Sequence, residues 1–510
     1  MTTRALPMLP MLEPARSTPA GQASTAQAPD PQLAEFVTDD LAMPRFHVWT
    51  LGCQMNRSDS EEMAGALAAA GCAEAASMDA ADLIVINSCA IREAAEQKVI
   101  GRMGALARLR QANPALRVVL AGCSVRDDNA ATLRRRYPQV DLFLRPDEEP
   151  ELVARLGLAT ATAPGVMRQP GSARMPEAVR RESTFSAWLP IIYGCDKTCT
   201  YCIVPFSRGR ERSRAFDEVV SEAAGLSGAG YREVTLLGQN VNSYGHDLAP
   251  DPRFAAIRGG RTLGRRLDLD GRPDIAALLH AIDGLRTADG VPAIPRLRFV
   301  TSHPWDLTDR LIDAMADCPS VCEHLHLPVQ SGDDAVLRRM GRQYTIDSYL
   351  ALVERLRARV PDICLTTDVI VGFCAETDEQ FENTLELLRA VRFEQVFAAA
   401  FSVRPGTPAA RLADDVPAAE KKRRLNALLD VQEEISRAAN AAWVGRTTEV
   451  LVDQLRPPSS HDGDGELRVA GRNRQNKLVH LPGGPELVGR LVDVRVERAG
   501  PYALVGRLAG

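Results

Sequence analysis

Cys195, Cys199 and Cys202 stand in a CxxxCxxC spacing within GCDKTCTYC (194–202), with an aromatic, Tyr201, beside the last of them. Three thiolates can hold three irons of a [4Fe–4S] cube and leave the fourth iron open to a ligand that is not protein. That open iron is where chemistry would occur. A structural zinc site wants four Cys or His ligands in two close pairs, and the next histidine along the chain is His246. Eleven cysteines spread thinly over 510 residues without a secretory signal argue against disulfides.

A second set is spaced more widely. Cys53, Cys89 and Cys123 lie 36 (53 to 89) and then 34 (89 to 123) residues apart. Each closes a run of strand character: FHVWTLGC (46–53), DLIVINSC (82–89) and LRVVLAGC (116–123). Helical patterns at 59–71 and 93–112 separate the runs, and VDLFL (140–144) reads as a fourth strand. This alternation predicts βαβ units and a parallel sheet. In such a sheet the carboxyl ends of the strands share one edge, so three thiols at those ends would converge. One cysteine so placed is most simply a buried small hydrophobe. Three in the same phase point to a second three-cysteine cluster.

The remainder of the chain must position these sets. A length of 510 residues suits about three domains, and 45% hydrophobic with 25% charged residues is ordinary for a globular protein. No apolar run is long enough to span a membrane. Residues 1–43, rich in Ala, Pro, Thr and Gln, read as a disordered extension of a cytoplasmic protein. The predicted fold class is α/β. It comprises a parallel-sheet domain over 44–155, a linker over 156–186, a partial (β/α)6 barrel with a helical connector over 187–440, and a small β-barrel over 441–510. The six barrel strands are read at 188–194, 233–239, 296–302, 324–329, 364–373 and 396–402, with the cysteine loop following the first, on the face where barrel active sites lie. The connector, 417–445, places Leu425, Leu428, Leu429, Val431 and Ile435 on an amphipathic face. A net charge of −5 creates no global attraction for nucleic acid, so any RNA contact must be local.

GCDKTCTYCIVPFSRGRERSR (194–214) resembles the radical S-adenosylmethionine superfamily and, within it, the methylthiotransferases. GCQMNRSDSE (52–61), NSCAIREAAEQKV (87–99) and AGC (121–123) are similar to the N-terminal domain of those enzymes, and HLHLPVQSG (324–332) and DVIVGF (368–373) to their barrel. LLGQNVNSYG (236–245) most resembles the branch acting on isopentenylated adenosine in tRNA. The resemblance implies two [4Fe–4S] clusters, one on Cys195, Cys199 and Cys202 with S-adenosylmethionine, and an auxiliary one on Cys53, Cys89 and Cys123. It implies insertion of a methylthio group at the 2-position of N(6)-isopentenyladenosine next to the anticodon. The partners would be that tRNA, an electron donor such as flavodoxin or ferredoxin, and a sulfur donor. Rival readings are the branches acting on threonylcarbamoyladenosine or on a ribosomal protein and, outside catalysis, a zinc-stabilised RNA-binding protein. No Ser/His/Asp or paired-carboxylate set stands out, as expected where a cofactor carries the hard chemistry.

Further residues receive roles on this basis. Gly238, Gln239 and Asn240, past one strand end, and Gln330 and Ser331, past another, are expected near the cofactor. Arg208, Arg210, Arg212 and Arg214 suit phosphate or carboxylate. The C-terminal barrel looks like a TRAM domain, in which Arg472, Arg474 and Lys477 are expected to meet RNA phosphates. Two departures stand out: GFCAET (372–377) carries Cys374 and Ala375 where the family has Pro and Gly, so the turn is expected to differ, and 247–275 reads as an atypical insertion, a solvated loop or a tRNA contact. Cys72, Cys318, Cys322 and Cys364 read as structural.

Overall fold

The computed structural model describes residues 44–90, 93–158, 179–258, 262–263, 269–456 and 467–509. The predicted extension 1–43, most of the linker and part of the 247–275 insertion lie outside them. The first sheet is built from β1 (Arg45–Leu51), β2 (Ala73–Glu74), β3 (Leu83–Ser88), β4 (Arg117–Ala121) and β5 (Leu142–Leu144) in the order β2-β1-β3-β4-β5, all parallel. Every residue of β3 is buried, the signature of a strand covered on both faces. One core gathers Phe46, Met63, Leu67 and Val85, and the other Ile84, Ile86, Leu106 and Phe143.

The strands end earlier than the apolar runs suggest, and this changes where the cysteines sit. Cys53, Cys89 and Cys123 follow β1, β3 and β4 by one or two residues, on the loops rather than in the strands. Gly122 turns the chain with φ +92°, where a Cβ would lie 2.3 Å from Asn87 Oδ1. Helix α1 (Gln54–Ala69) starts well before the expected 59, with Cys53 as its N-cap and the Cys53 backbone N–H donating to Asn56 Oδ1 at 3.3 Å. Asn56, Ser58, Asp59 and Ser60 are buried in its first turns. Buried polar residues hid the helical periodicity there. Helix α2 (Glu93–Ala112) spans the expected residues.

The predicted first barrel strand divides. β6 (Ser186–Pro190) joins the barrel, whereas β7 (Ile192–Tyr193) leaves it to pair antiparallel with β8 (Arg212–Ser213), clamping both ends of the cysteine loop. β6, β9 (Glu233–Leu237) and β10 (Arg296–Phe299) form one parallel sheet in the order β10-β9-β6. β11 (His324–His326), β12 (Cys364–Val371) and β13 (Gln395–Ala400) form the other. A bridge between Leu297 and Val321 links the two across the gap. Together they wrap a single large core as an open, six-stranded partial barrel.

β14 (Thr447–Arg456), β15 (Arg468–Asn473), β16 (Leu478–Pro482), β17 (Leu491–Ala499) and β18 (Leu504–Leu508) close a small barrel in the order β14-β15-β16-β18-β17. Val450, Val452, Val469, Val479, Val494 and Leu504 fill it. The connecting helix Ala418–Ala441 turns Leu428 and Ile435 into the main core, with Leu425 and Val431 packed against it, as expected; Leu429 departs from that face at 45% exposed, while Arg424, Gln432, Ser436 and Asn440 are buried as well. Their hydrogen bonds explain the choice, since Gln432 donates to the Phe393 carbonyl at 2.9 Å and Asn440 to the Gly500 carbonyl at 2.8 Å.

The basic segment 471–477 also has a different task from the one expected. Arg296, fully buried, donates to the Arg472 carbonyl at 2.7 Å and the Glu449 carbonyl at 2.8 Å. Arg298 donates to the carbonyls of Asn473 at 2.7 Å and Arg474 at 2.9 Å. Arg474 forks onto Glu323 at 2.7 Å, and Lys477 binds Glu394 and Asn440. Arg474 and Lys477 therefore fasten the small barrel to the partial barrel instead of facing RNA, and only Arg472 of the three is exposed. The acidic partners come from distant segments, so the charge cluster alone gave no hint of them. Within the insertion, Arg253 pairs with Asp217 at 2.7 Å and Arg272 with the Leu248 carbonyl at 2.7 Å, contacts inside its own domain.

Ala375 occupies the left-handed region with φ +58°, a conformation a glycine would adopt freely. Cys374 is buried among Val336, Met340, Phe373 and Phe401 as a small hydrophobe. Cys72, Cys318, Cys322 and Cys364 are likewise buried. Replacing Ala375 with Gly should raise central-domain stability by about 1 kcal/mol in denaturant unfolding, the usual cost of a left-handed alanine. An unchanged or lower midpoint would contradict the strain.

Burial, reinforced by Arg298, His326, Arg472 and Lys477, holds His324 well below the usual imidazole range at the docked hairpin. The folded state thus keeps it neutral, whereas the unfolded chain protonates it near pH ~6.5. Stability from this group is complete above about pH 6.5 and is lost as pH falls below it. Thermal melts between about pH 7.5 and about pH 5.5 should show that loss, and His324→Gln should flatten it.

Candidate active site between two cysteine triads

The loop carrying Cys195, Cys199 and Cys202 is held by backbone contacts on every side. Cys195 donates its N–H to the Gly209 carbonyl at 3.1 Å, and Thr200 to Met340 at 2.9 Å. Gly194 has φ +73°, and a Cβ there would lie 2.0 Å from the Arg210 carbonyl. Cys199 Sγ lies 3.7 Å from an Arg342 guanidinium nitrogen and 3.9 Å from His303 Nε2. Burial, then Arg342 and Lys197, keeps His303 well below its ordinary value, so it is neutral.

Electrostatics show that each set of three is close-packed. Burial first, then Glu211 and the Cys202 and Cys199 thiols, raises Cys195 well above the usual range, and burial with Cys199 pushes Cys202 up to about 12. Burial and mutual repulsion disfavour three thiolates side by side in this loop, and a cationic iron cluster would relieve that repulsion. In the second set, the Cys89 hydrogen bond is the largest influence on Cys53. Helped by Arg208 and the backbone N–H groups of Asn56 and Met55, it brings Cys53 down to about 5 against the opposing effect of burial. Burial raises Cys123 despite Arg208. This set combines a ready thiolate with two buried thiols, a donor set that fits iron.

The two sets meet at the domain interface. Cys123 packs with Ala90 and with Ile203, the residue after Cys202. Arg208, in the short helix Val204–Arg208, reaches across: its Nε donates to Cys123 Sγ at 3.0 Å and its Nη2 to Asp59 Oδ2 at 2.6 Å. Of the other arginines of that segment, Arg210 pairs with Asp196, Arg214 is buried against Glu222 and the Pro190 carbonyl, and Arg212 is exposed on β8.

The expected cofactor residues divide. Gln239 Oε1 is buried without a partner, as are Asn242 Oδ1, Ser302 Oγ and the Trp305 indole nitrogen, so polar capacity lies open beside the cysteine loop. A bound polar molecule such as S-adenosylmethionine fits that unmet demand. Asn240 is already committed, donating to Asp306 at 2.6 Å and accepting from the His303 N–H at 3.2 Å. Ser331 is fully buried against Thr384 and the Asp333 N–H. Gly238 packs so tightly that a Cβ would lie 2.4 Å from Ile192 Cγ2, which explains the glycine by packing. Gln330, with φ +74°, joins its backbone to β12 through Asp368 and Ile370. Sequence reasoning missed Lys197, ion-paired with Asp306 at 2.6 Å, together with His303 and Arg342. His303 could have been noticed as a histidine just past a strand; nothing local marks Arg342.

Arg208→Gln should destabilise the interface by about 3–5 kcal/mol, because it leaves the Asp59 carboxylate buried alone. Equilibrium unfolding measures this, and Arg208→Gln combined with Asp59→Asn should cost less than the sum of the two single changes. Additive losses would show that the pair does not couple the domains.

Comparison with known proteins accords with this architecture. Residues 189–388 match the Radical SAM superfamily, 45–145 the Uncharacterized protein family UPF0004, and 442–509 the TRAM domain. A tRNA-2-methylthio-N(6)-dimethylallyladenosine synthase of Carboxydothermus hydrogenoformans is 41% identical over 472 residues, 92% of this chain and 100% of that protein. The proteins of the same name from Symbiobacterium thermophilum and Acetivibrio thermocellus are 42% identical over 471 residues (91% of this chain, 94% of that protein) and 39% identical over 463 residues (90% of each). The chain belongs to the tRNA-2-methylthio-N(6)-dimethylallyladenosine synthase family of the radical SAM superfamily.

Proposed function

We propose that this chain inserts a methylthio group at the 2-position of N(6)-isopentenyladenosine adjacent to the tRNA anticodon, using one [4Fe–4S] cluster on Cys195, Cys199 and Cys202 and a second on Cys53, Cys89 and Cys123. The observation that carries this reading is the contact between the two triads, with Cys123 against Ile203 and Arg208. An enzyme that joins sulfur to an unactivated carbon needs a radical source and a sulfur-handling site within reach of one substrate, and two apposed iron sites meet that need. Family membership implies a [4Fe–4S] cluster and S-adenosylmethionine. When bound, these supply a one-electron reductant and a radical able to take hydrogen from a C–H bond that offers no acid or base a handle.

The protein's own contribution is positional and electrostatic. Arg342 and neutral His303 flank Cys199 Sγ, where hydrogen bonds to a ligating sulfur tune its electron density. Gln239, Asn242, Ser302 and Trp305 offer unpaired polar atoms to S-adenosylmethionine. The small barrel is a TRAM domain, and its role would be to hold tRNA through phosphate contacts while the base is read in the partial barrel. An electron donor such as flavodoxin or ferredoxin, a sulfur donor and a cytoplasmic location complete the proposal; no helix among the described residues is long and apolar enough to cross a membrane.

Anaerobically purified protein should carry about eight irons per chain, and alanine replacement of either triad should remove about half of them. Loss of the Cys195, Cys199 and Cys202 triad should abolish 5′-deoxyadenosine formation, whereas loss of the other triad should spare it and prevent methylthiolation. Mass spectrometry of tRNA nucleosides from a strain lacking the protein should show N(6)-isopentenyladenosine in place of its 2-methylthio form. Colourless, zinc-loaded protein that binds RNA and forms no deoxyadenosine would overturn the proposal.

A further inference from the structure

Strands of the partial barrel alternate between two environments. Leu325 of β11, Leu365, Val369 and Val371 of β12, and Val396 of β13 pack into the main core. The intervening residues, His324 and His326, Thr366, Asp368 and Ile370, and Phe397, therefore face the barrel interior. Register places Asp368 opposite Phe397 and His326 opposite Thr366. His326 Nε2 lies 3.3 Å from Asp368 Oδ2, and its Nδ1 lies 3.0 Å from Thr366 Oγ1. The Phe397 ring meets the His326 ring edge-on, with centroids 5.6 Å apart at 75°. Even so, Phe397 is 49% exposed.

A large aromatic half-exposed on the inner side of a barrel is not explained by packing, and its surroundings define what could cover it. One side-chain step along β12, about 6.6 Å, Ile370 packs against the cluster of Val336, Met340, Phe373 and Phe401, against which Tyr201 packs as well. Tyr201 is part of the cysteine loop. In the opposite direction the barrel floor is closed by the docked hairpin, where Arg298 holds the Asn473 and Arg474 carbonyls and Asn476 lies 3.5 Å from His324. The Phe397 layer thus lies between a closed floor and the cysteine loop. It is open to solvent where Phe397 is half-exposed; β13 has no further strand on its outer edge among the described residues, and the helix Ala418–Ala441 packs against that strand. A flat, aromatic group carrying one N–H donor fits this layer: a π-face for Phe397 and a proton for the Asp368 carboxylate, whose other oxygen is engaged by His326.

We propose that Phe397 is the stacking platform for the target adenine, and that Asp368, oriented by His326, accepts the hydrogen bond from its N6–H. This rests on the functional reading above and adds a specificity-determining pair to it. Stacking on an aromatic ring is a general way to hold a base that has left its own stack, and the layer's position below the cysteine loop would present the base to the radical chemistry.

The test uses reconstituted holoenzyme and an isopentenylated anticodon stem-loop RNA. Phe397→Leu keeps apolar bulk without a π-face and should raise KM for the RNA about tenfold or more, from the usual size of a base–aromatic stack. It should also release more deoxyadenosine per methylthio product. Phe397→Trp should retain near wild-type KM, an outcome that a purely structural role would not produce. A second stem-loop carries 2-aminopurine, which lacks the N6–H and so reports stacking alone, in place of the isopentenyladenine; it should be quenched by wild type and Phe397→Trp but not by Phe397→Leu. Phe397→Leu with unchanged KM and unchanged quenching overturns the stacking role, provided wild type modifies the RNA. Failure of wild type to modify it overturns the functional reading instead, and the quenching experiment still decides whether a base stacks on Phe397.

Discussion

The arrangement of this molecule depends on one buried guanidinium. Arg208 lies at the end of the short helix that leaves Cys202, and it donates both to Cys123 Sγ at 3.0 Å and to Asp59 at 2.6 Å. Both Arg208 and Asp59 are almost fully buried. A charge in such a place is tolerated only while its partner remains, since removing one leaves the other without water or counter-charge. The N-terminal sheet therefore cannot tilt or slide on the partial barrel without breaking that pair. Because Cys202, Ile203 and Arg208 belong to one segment, the path from one triad to the other runs through a few residues of continuous chain and one buried contact.

Much of this was legible as pattern, and the remainder failed for physical reasons. Apolar runs separated by helical segments were enough to predict the parallel sheet, the six barrel strands and the closing small barrel. Convergence of Cys53, Cys89 and Cys123 followed from their common phase at strand ends, although the cysteines stand on the loops because Gly52 and Gly122 end the strands first. Polar burial defeated the pattern at the start of α1, and along the helix Ala418–Ala441 it added Arg424, Gln432, Ser436 and Asn440 to the buried apolar residues that the pattern did show. Long-range pairing was invisible for a different reason: Asp59 and Arg208 are 149 positions apart, and no local feature of either predicts the other.

Three residues in the left-handed backbone region mark the face on which the chemistry would occur. Thr301, Gln330 and Ala375 have φ of +71°, +74° and +58°, in loops that follow β10, β11 and β12. None is glycine, so each conformation is maintained against a local preference by its surroundings. The Thr301 carbonyl accepts from the Val241 N–H at 3.1 Å, and Gln330 exchanges backbone hydrogen bonds with β12. Those contacts join the loops beside the cysteine segment into one rigid rim. The unpaired polar atoms of Gln239, Asn242, Ser302 and Trp305 lie in or next to these same loops. Order imposed on the backbone with side-chain polarity left open is what a site built to receive a polar ligand requires.

The hairpin 471–477 shows why charge must be read with its partners. Its basic residues look like an RNA-binding cluster in sequence, yet Arg474 and Lys477 are neutralised by Glu323 and Glu394, and the hairpin carbonyls are gathered by Arg296 and Arg298. The consequence reaches the site itself. With the hairpin fastened over the amino ends of the strands and the N-terminal sheet held at their carboxyl ends through Arg208, both ends of the partial barrel are covered. Helix α1 packs against the β6 edge and the helix Ala418–Ala441 against β13, so a nucleotide approaches where the half-exposed Phe397 leaves the interior open. A base buried in a stem could not take that route; one already turned out of a single-stranded loop could. The same docking that removes two basic residues from the RNA-facing surface therefore confines the substrate to a conformation that an anticodon loop can supply.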